Sequence, residues 1–410
     1  MKYFSILGNN PALSAAEIAA ATKSEGSMKV ASGNVLLWEG PATDAKKFIG
    51  RLGGTIKIGI IINEVNRHDN QKIKEAVLKI IENDLLEKNS KGKYCFGFSY
   101  YGRSGLPIFP LGLEIKKLLK EKSKSFRLVT SKEKTLSSVV VEQNNLVGRG
   151  IEIVMIEDGE ILYLGKTLAV QPFKELSHRD FGRPRRDNQS GMLPPKLAQI
   201  MLNLSGKIPC HCLCAVNDAP EQCPIIIDPF CGSGTILTEA TLMGIKNLIG
   251  SDISEKAIID TKDNFTWIKN NYQSAVFNAE LSKTSAEDLS RKIPVASVDA
   301  IVTEPYLGPQ RGRIDFVKTK IELEKLYSKA IREFAKILKA DGMVVMVWPV
   351  FTGRGTHNWD FVSPNISGFK IVNPLPEDLR GALRTTERGT IIYGREGQKV
   401  FREIVVLKKG

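Results

Sequence analysis

The chain has 410 residues, 42% hydrophobic and 25% charged. That globular balance leaves room for two or three domains and excludes a disordered, collagen-like or disulfide-scaffold protein. No apolar stretch reaches the roughly 18 residues that a membrane helix needs. Lysine and arginine total 58 against 45 acidic residues, a net charge of +13, which points to a polyanion such as nucleic acid as partner.

In chain order, the opening MKYFSILGNNPALSAAEI lacks the basic-then-apolar layout of a secretion signal, so a cytoplasmic protein is expected. KYFSIL predicts a strand. Ser14 followed by Glu17 has capping-box spacing and predicts a helix start before AEIAAAT. NVLLWEG, TDAKKFIGRLG and TIKIGIIINEV then predict strand, helix and strand, so residues 1–62 make a small α+β unit.

From about Asn63 the pattern changes. DNQKIKEAVLKIIENDLLEKN has apolar residues at helical spacing. The strand KYCFGFSYYG, a lysine-rich helix around LGLEIKKLLKEKSKS and the strand FRLVT follow. IEIVMIEDGEILYLG then predicts a hairpin turning at Asp158-Gly159. Lys116, Lys117, Lys120, Lys122 and Lys124 make a cationic patch, readable as an RNA contact or as a solvated helix face. Gly165-Lys166-Thr167 is not a phosphate loop, because the glycine that loop requires falls on Glu160.

KELSHRDFGRPRRDNQS, within 171–190, predicts a basic linker whose Arg179, Arg183, Arg185 and Arg186 are available to phosphate. Cys210, Cys212, Cys214 and Cys223 crowd one segment with His211 inside it. Their spacing lacks the usual two-residue gap of a zinc site and favours a cysteine-tolerant loop, so no metal is expected.

After the linker the β/α alternation becomes regular. LPPKLAQIMLNLSG is a helix, and PIIIDPF is a strand apolar throughout, as a parallel strand covered on both faces requires. The strand NLIGSDI, a helix, strands near SAVFNAE and over VDAIVTEPY, a long helix, the strand GMVVMVWPV and a C-terminal hairpin follow. This predicts a doubly wound α/β sheet with an antiparallel ending. Ligands bind such sheets beyond the carboxyl ends of the strands. The turn Asp228-Pro229-Phe230-Cys231-Gly232-Ser233-Gly234-Thr235 occupies that place, and Asp252 ends the next strand, where a carboxylate can accept two ribose hydroxyls. A dinucleotide fingerprint needs a third glycine where Leu237 stands, and Asp228 suits a cationic ligand better than a pyrophosphate. These residues favour S-adenosylmethionine over NAD.

DPFCGSGT resembles motif I of class I S-adenosylmethionine-dependent methyltransferases, in the form typical of THUMP-domain RNA guanine-N2 methyltransferases. ILGNNPALSAAEI and HRDFGRPRRDNQSGMLPPKLAQIMLNL resemble the N-terminal segment, linker and motif X helix of the archaeal and eukaryotic tRNA guanosine-10 N2-methyltransferases. The resemblance implies an α/β protein in four parts: a ferredoxin-like domain over 1–62, a THUMP-like RNA-binding domain over 63–170, the linker over 171–190, and a Rossmann-like methyltransferase domain over 191–410. It implies tRNA as partner and admits a small activator protein subunit. As cofactor-binding positions it implies residues 228–235, Asp252, Ile253, Met192, Pro194 and Asp288. Asp288 competes there with Ser285, on which the usual acid position falls.

The family's acceptor motif is Asp or Asn, Pro, Pro, an aromatic residue, then Gly. This chain has Thr303-Glu304-Pro305-Tyr306-Leu307-Gly308. A gapless register puts Glu304 in the acidic position, with Tyr306 stacking on the base from a displaced position. A one-residue shift puts Thr303 first and keeps Tyr306 as the ring. A carboxylate that accepts hydrogens from an exocyclic amine localises the lone pair that must attack a methyl carbon. Cys231 is expected to pack beside the cofactor rather than react, and Arg311 and Arg313 are candidate phosphate contacts. The alternatives are a DNA amino-methyltransferase acting on adenine N6 or cytosine N4, which shares both motifs, and a catalytically idle RNA-binding protein, which the altered acceptor motif suggests.

Overall fold

The computed structural model describes residues 1–22, 27–88, 92–103, 105–120, 125–186, 192–208, 223–272, 277–309, 315–352, 359–395 and 397–410. The chain divides into two compact units. The first comprises residues 1–11, 24–50 and 55–172, and the second comprises 12–23, 51–54 and 173–410.

The first unit is built on one eight-stranded sheet. Its strands are β1 (Lys2–Leu7), β2 (Met28–Val30), β3 (Val35–Glu39), β4 (Thr55–Asn66), β5 (Tyr94–Tyr101), β6 (Phe126–Val129), β7 (Ile151–Asp158) and β8 (Ile161–Val170). Their order is β2-β3-β1-β4-β8-β7-β5-β6. The segments 1–62 and 63–170 therefore contribute strands to a single sheet, joined where β4 pairs antiparallel with β8. Side chains alternate across it, as strand geometry demands. On β7, Ile153 and Met155 join a core with Ile73, Val77 and Ile80, while Val154 and Ile156 join Phe4, Ile6 and Leu37 in a second one. The β7–β8 hairpin turns at Gly159-Glu160, one residue later than expected. Asp158 pairs with Ile161, and Gly159 takes the left-handed φ of +62° that opens the turn. Gly165-Lys166-Thr167 lies within β8, where Lys166 pairs with Asp84 at 3.0 Å.

The helices, numbered along the whole chain, are α1 (Pro11–Thr22), α2 (Ala45–Gly50), α3 (Asn70–Lys88), α4 (Ile108–Lys120), α5 (Ser138–Gln143), α6 (Phe173–Phe181), α7 (Pro195–Leu204), α8 (Thr235–Leu242), α9 (Glu255–Asn271) and α10 (Phe316–Ile337). Lys117 and Lys120 are exposed on α4. Lys122 and Lys124 lie outside the described residues.

Helix α1 belongs to the second unit, and the expected capping box is not formed. The helix begins at Pro11, three residues before Ser14, whose hydroxyl donates to the Gly54 carbonyl at 2.8 Å. Glu17 is buried and accepts the amides of Gly53 and Gly54 and the side-chain amide of Asn203, each at 2.8 Å. The Ser and Glu tie α1 to partners distant in sequence, a use that local spacing does not distinguish from capping.

The second unit contains β9 (Ile225–Asp228), β10 (Asn247–Asp252), β11 (Asn278–Lys283), β12 (Val298–Thr303), β13 (Leu338–Thr352), β14 (Trp359–Phe361), β15 (Phe369–Ile371), β16 (Ile391–Tyr393) and β17 (Val400–Lys409). The sheet order is β11-β10-β9-β12-β13-β17-β15, with β14 on β13 and β16 on β17. Strands β9 to β13 run parallel, and β17 returns antiparallel along β13. This is the expected doubly wound sheet with an antiparallel end.

Residues 173–181, expected as linker, form α6. Arg179 and Arg183, each 6% exposed, face α8 instead of solvent. Arg179 Nε donates to Glu239 at 2.8 Å, with Gln199 of α7 on the other carboxylate oxygen at 3.0 Å. Arg183 donates to the Thr235 hydroxyl at 2.6 Å. Their charges answer buried polar groups and are withdrawn from any phosphate. Among the described residues, no helix is long and apolar enough to cross a membrane.

Candidate methyl-transfer site

Strand β9 is the switch point of the second sheet: β10 pairs on one side of it and β12 on the other. Because these strands are parallel, their last residues Asp228, Asp252 and Thr303 emerge at the same edge. Thr303 is fully buried, and its hydroxyl donates to Asp228 Oδ1 at 2.7 Å, as the Phe230 amide does at 3.2 Å. Burial pushes the Asp228 carboxyl up to about 7, and the nearby charges of Asp252 and Glu304 add to the rise against the lowering by those two hydrogen bonds.

The glycine turn after β9 is fixed from three sides. The Cys231 amide donates to the Ser251 carbonyl at 3.0 Å. The amides of Gly232 and Ser254 donate to the two oxygens of Asp252, at 3.1 and 2.9 Å. From α9, the Thr261 hydroxyl donates to the Gly232 carbonyl and the Asn264 side chain to the Ser233 carbonyl, each at 2.8 Å. Gly234 caps α8 with φ +80°, and a Cβ there would lie 2.7 Å from Thr261 Cγ2. Glycine is required by conformation and by space.

A cavity of about 640 Å³ opens above this turn. Met192, residues 228–233, Thr235, Asp252, Ile253, Glu304, Pro305 and Tyr306 all line it. Four of the residues read from the sequence do not. Thr303 lies beneath Asp228, Gly234 shapes the turn, and Pro194 is the N-cap of α7. Asp288, 44% exposed, pairs with Arg291 at 3.2 Å, and Ser285, Ala286 and Glu287 form that wall instead. Cys231 is buried, its thiol pushed far up by burial and by the neighbouring carboxylates, which leaves it a packing residue.

On the acceptor side, Glu304 and Tyr306 both face the cavity, and Tyr306 is 57% exposed. The Tyr306 carbonyl accepts the hydroxyl of the buried Tyr327 at 2.6 Å, which fixes the loop on α10. The Glu304 carboxylate pairs with Arg402 of β17 at 2.5 Å. Burial raises its pKa, and Arg402 opposes that rise.

Sequence reasoning missed Arg402, Thr261 and Asn264. The first is brought to the site by a strand pairing 98 residues away, and the others look like ordinary helix residues. Asn247 donates to the Cys223 carbonyl at 3.0 Å. Cys210, Cys212, Cys214, His211, Arg311 and Arg313 lie outside the described residues.

Residues 183–350 match the model of the UPF0020 family, described as an RMKL-like methyltransferase domain. The tRNA (guanine(10)-N2)-dimethyltransferase of Methanothermobacter thermautotrophicus is 33% identical over 159 residues, 39% of each chain. That of Methanocaldococcus jannaschii is 26% identical over 194 residues, 46% of this chain and 48% of that protein. The match therefore spans less than half the length of these two relatives. A probable tRNA (guanine(10)-N2)-dimethyltransferase of Methanothermococcus thermolithotrophicus is 30% identical over 137 residues, 32% of this chain and 75% of that protein. A methyltransferase domain over the glycine turn and the acceptor loop, together with these relatives, shows that the chain belongs to the tRNA (guanine(10)-N2)-dimethyltransferase family.

Proposed function

We propose that the chain transfers methyl groups to the exocyclic N2 of a guanosine in tRNA. The observation that carries this reading is the meeting of Asp228, Asp252 and Glu304 around one cavity at the switch point of a parallel sheet. The cofactor of the methyltransferase domain is S-adenosyl-L-methionine, and the residues present fit it. The cavity is of ligand size, its carboxylates suit an ammonium, a sulfonium and ribose hydroxyls, and nothing lies within 4 Å of where a Cβ on Gly232 would point. Ile253, 71% exposed beside Asp252, offers an apolar surface to a base.

When bound, the cofactor supplies a methyl carbon whose bond to sulfur breaks, the electron pair staying on sulfur, as the new bond to nitrogen forms. Asp252 holds ribose hydroxyls while its own backbone partners keep it in place. Asp228 faces the cationic end. Glu304 accepts the N–H of the acceptor amine and takes its proton, and Tyr306 stacks on a base splayed from its helix. Placement provides much of the acceleration.

In this proposal residues 1–62 and 63–170 are the ferredoxin-like and THUMP-like parts that hold tRNA, and 191–410 carry out the transfer in the cytoplasm. A small activator protein subunit belongs to the same proposal. The net charge of +13 and the exposed Lys117 and Lys120 support RNA as the partner. The test is nucleoside mass spectrometry of tRNA incubated with the protein and labelled cofactor. Labelled N2-methylated guanosine is expected. Label confined to duplex DNA would favour a DNA amino-methyltransferase, and cofactor binding without transfer would favour an idle RNA-binding protein.

A further inference from the structure

We infer that Arg402 is a positioning residue for transfer: it grips one oxygen of Glu304 and leaves the other to receive the acceptor's N–H. The inference rests on the reading of Glu304 as the group that takes the amine proton.

The geometry is asymmetric. Arg402 Nε donates to Glu304 Oε1 at 2.5 Å, while its Nη2 reaches Oε2 only at 3.5 Å. A bond at that distance contributes little, so Oε2 keeps its capacity to accept. The two side chains are only 12% and 14% exposed, and Glu304 lines the cavity. Arg402 stands opposite Pro349 on β13, and β13 lies between it and β12, the strand that delivers Glu304. The ion pair thus reaches across a whole strand. An aspartate at 304, one methylene shorter by about 1.5 Å, would draw its carboxylate out of contact. The glutamate at 304 and the arginine 98 residues later make one device.

The groups that face Glu304 make Arg402 matter. The Glu304 charge in turn raises the pKa of Asp228 at the end of β9 and of Tyr327 on α10, and burial disfavours its own ionised form. Arg402 is the opposing cation. Without it Glu304 holds its proton to higher pH and takes one from the amine only above that pH.

The test compares Arg402→Gln and Arg402→Lys with the wild type by single-turnover methylation of tRNA across pH 6 to 9, with cofactor affinity read by calorimetry. In Arg402→Gln the acidic limb of the rate profile should move up by about one pH unit, roughly a tenfold loss on the acid side that recovers on the alkaline side. Arg402→Lys should keep the limb near its original position. Cofactor affinity should stay within about threefold in both. Glu304→Asp, which keeps the carboxylate but shortens its reach, should reproduce the Arg402→Gln shift. An unshifted limb, or an equal loss at every pH, overturns the inference. Glu304→Gln separates the two claims: full turnover there removes Glu304 as proton acceptor and the role of Arg402 with it. Depressed turnover there with an unshifted Arg402→Gln profile removes the role of Arg402 alone.

Discussion

The carboxylate of Asp252 accepts the backbone amide of Gly232, twenty residues earlier, at 3.1 Å. One strand end thereby fixes the glycine turn that leaves its neighbour, and the acid that would hold the ribose also shapes the surface beneath it.

Asp252→Ala should therefore lose ligand bonds and the turn's anchor together. With hydrogen bonds to a charged group worth about 1.5–3 kcal/mol each, calorimetry should show cofactor affinity reduced at least tenfold. Unchanged affinity would refute the ribose-acceptor role.

Asp228 predicts a proton linkage. With its carboxyl raised to about 7, a large part of the unliganded protein carries a neutral Asp228 below that pH. A cationic ligand favours the ionised form, so binding near pH 6.5 should release a proton. Affinity should rise toward pH 7 and then level off. Calorimetry in buffers of different ionisation enthalpy measures this directly. Asp228→Asn keeps the Oδ1 contacts to Thr303 and Phe230 and should show no release.

Cys231→Ala should retain transfer within a few-fold. Its thiol is buried and held protonated, and the substitution removes only modest packing. Complete loss of turnover in a folded, cofactor-binding variant would contradict the packing role.

Asn264 is buried and makes three hydrogen bonds, to the Ser233 carbonyl and to the backbone amide and carbonyl of Arg185. Asn264→Ala should lower the thermal midpoint, with a cost of about 2–3 kcal/mol, and weaken cofactor binding by loosening the turn. A cost confined to stability would show that the turn is held well enough by Thr261 alone.

Glu17 makes stability depend on pH. Burial raises its pKa to about 7, against the lowering by three donors. Such a raised carboxyl contributes stability fully present below its unfolded value, near 4.5, and lost as pH rises through 7. Urea midpoints should fall between pH 5 and 8, and the fall should be smaller in Glu17→Gln.

The doubly wound sheet, the glycine turn and the placement of Asp252 were legible because each is a local pattern: an apolar strand, a turn that demands glycine, an acid at a strand end. The Ser14–Glu17 pair and Arg179 and Arg183 were misread for one shared reason. Gly54, Asn203, Glu239 and Thr235, which they meet, lie 37 to 186 residues away, and a polar residue looks the same in sequence whether it meets solvent or a distant buried group. Between Ser285 and Asp288 the sequence left the choice open, because the motif position falls on the first and the acid on the second, and it is 285–287 that line the cavity.

Helix α1 leaves the ribosome long before Asn203, the residue 186 positions later whose amide meets Glu17. At about 5–20 residues per second the wait lasts roughly 10–40 s. A buried, acid-bearing helix must be tolerated by the nascent chain for that time. A clone beginning at residue 173 would lack the piece altogether and expose the face of α7 that receives it, so expression of the C-terminal half alone should give insoluble material unless a peptide of residues 11–22 is supplied.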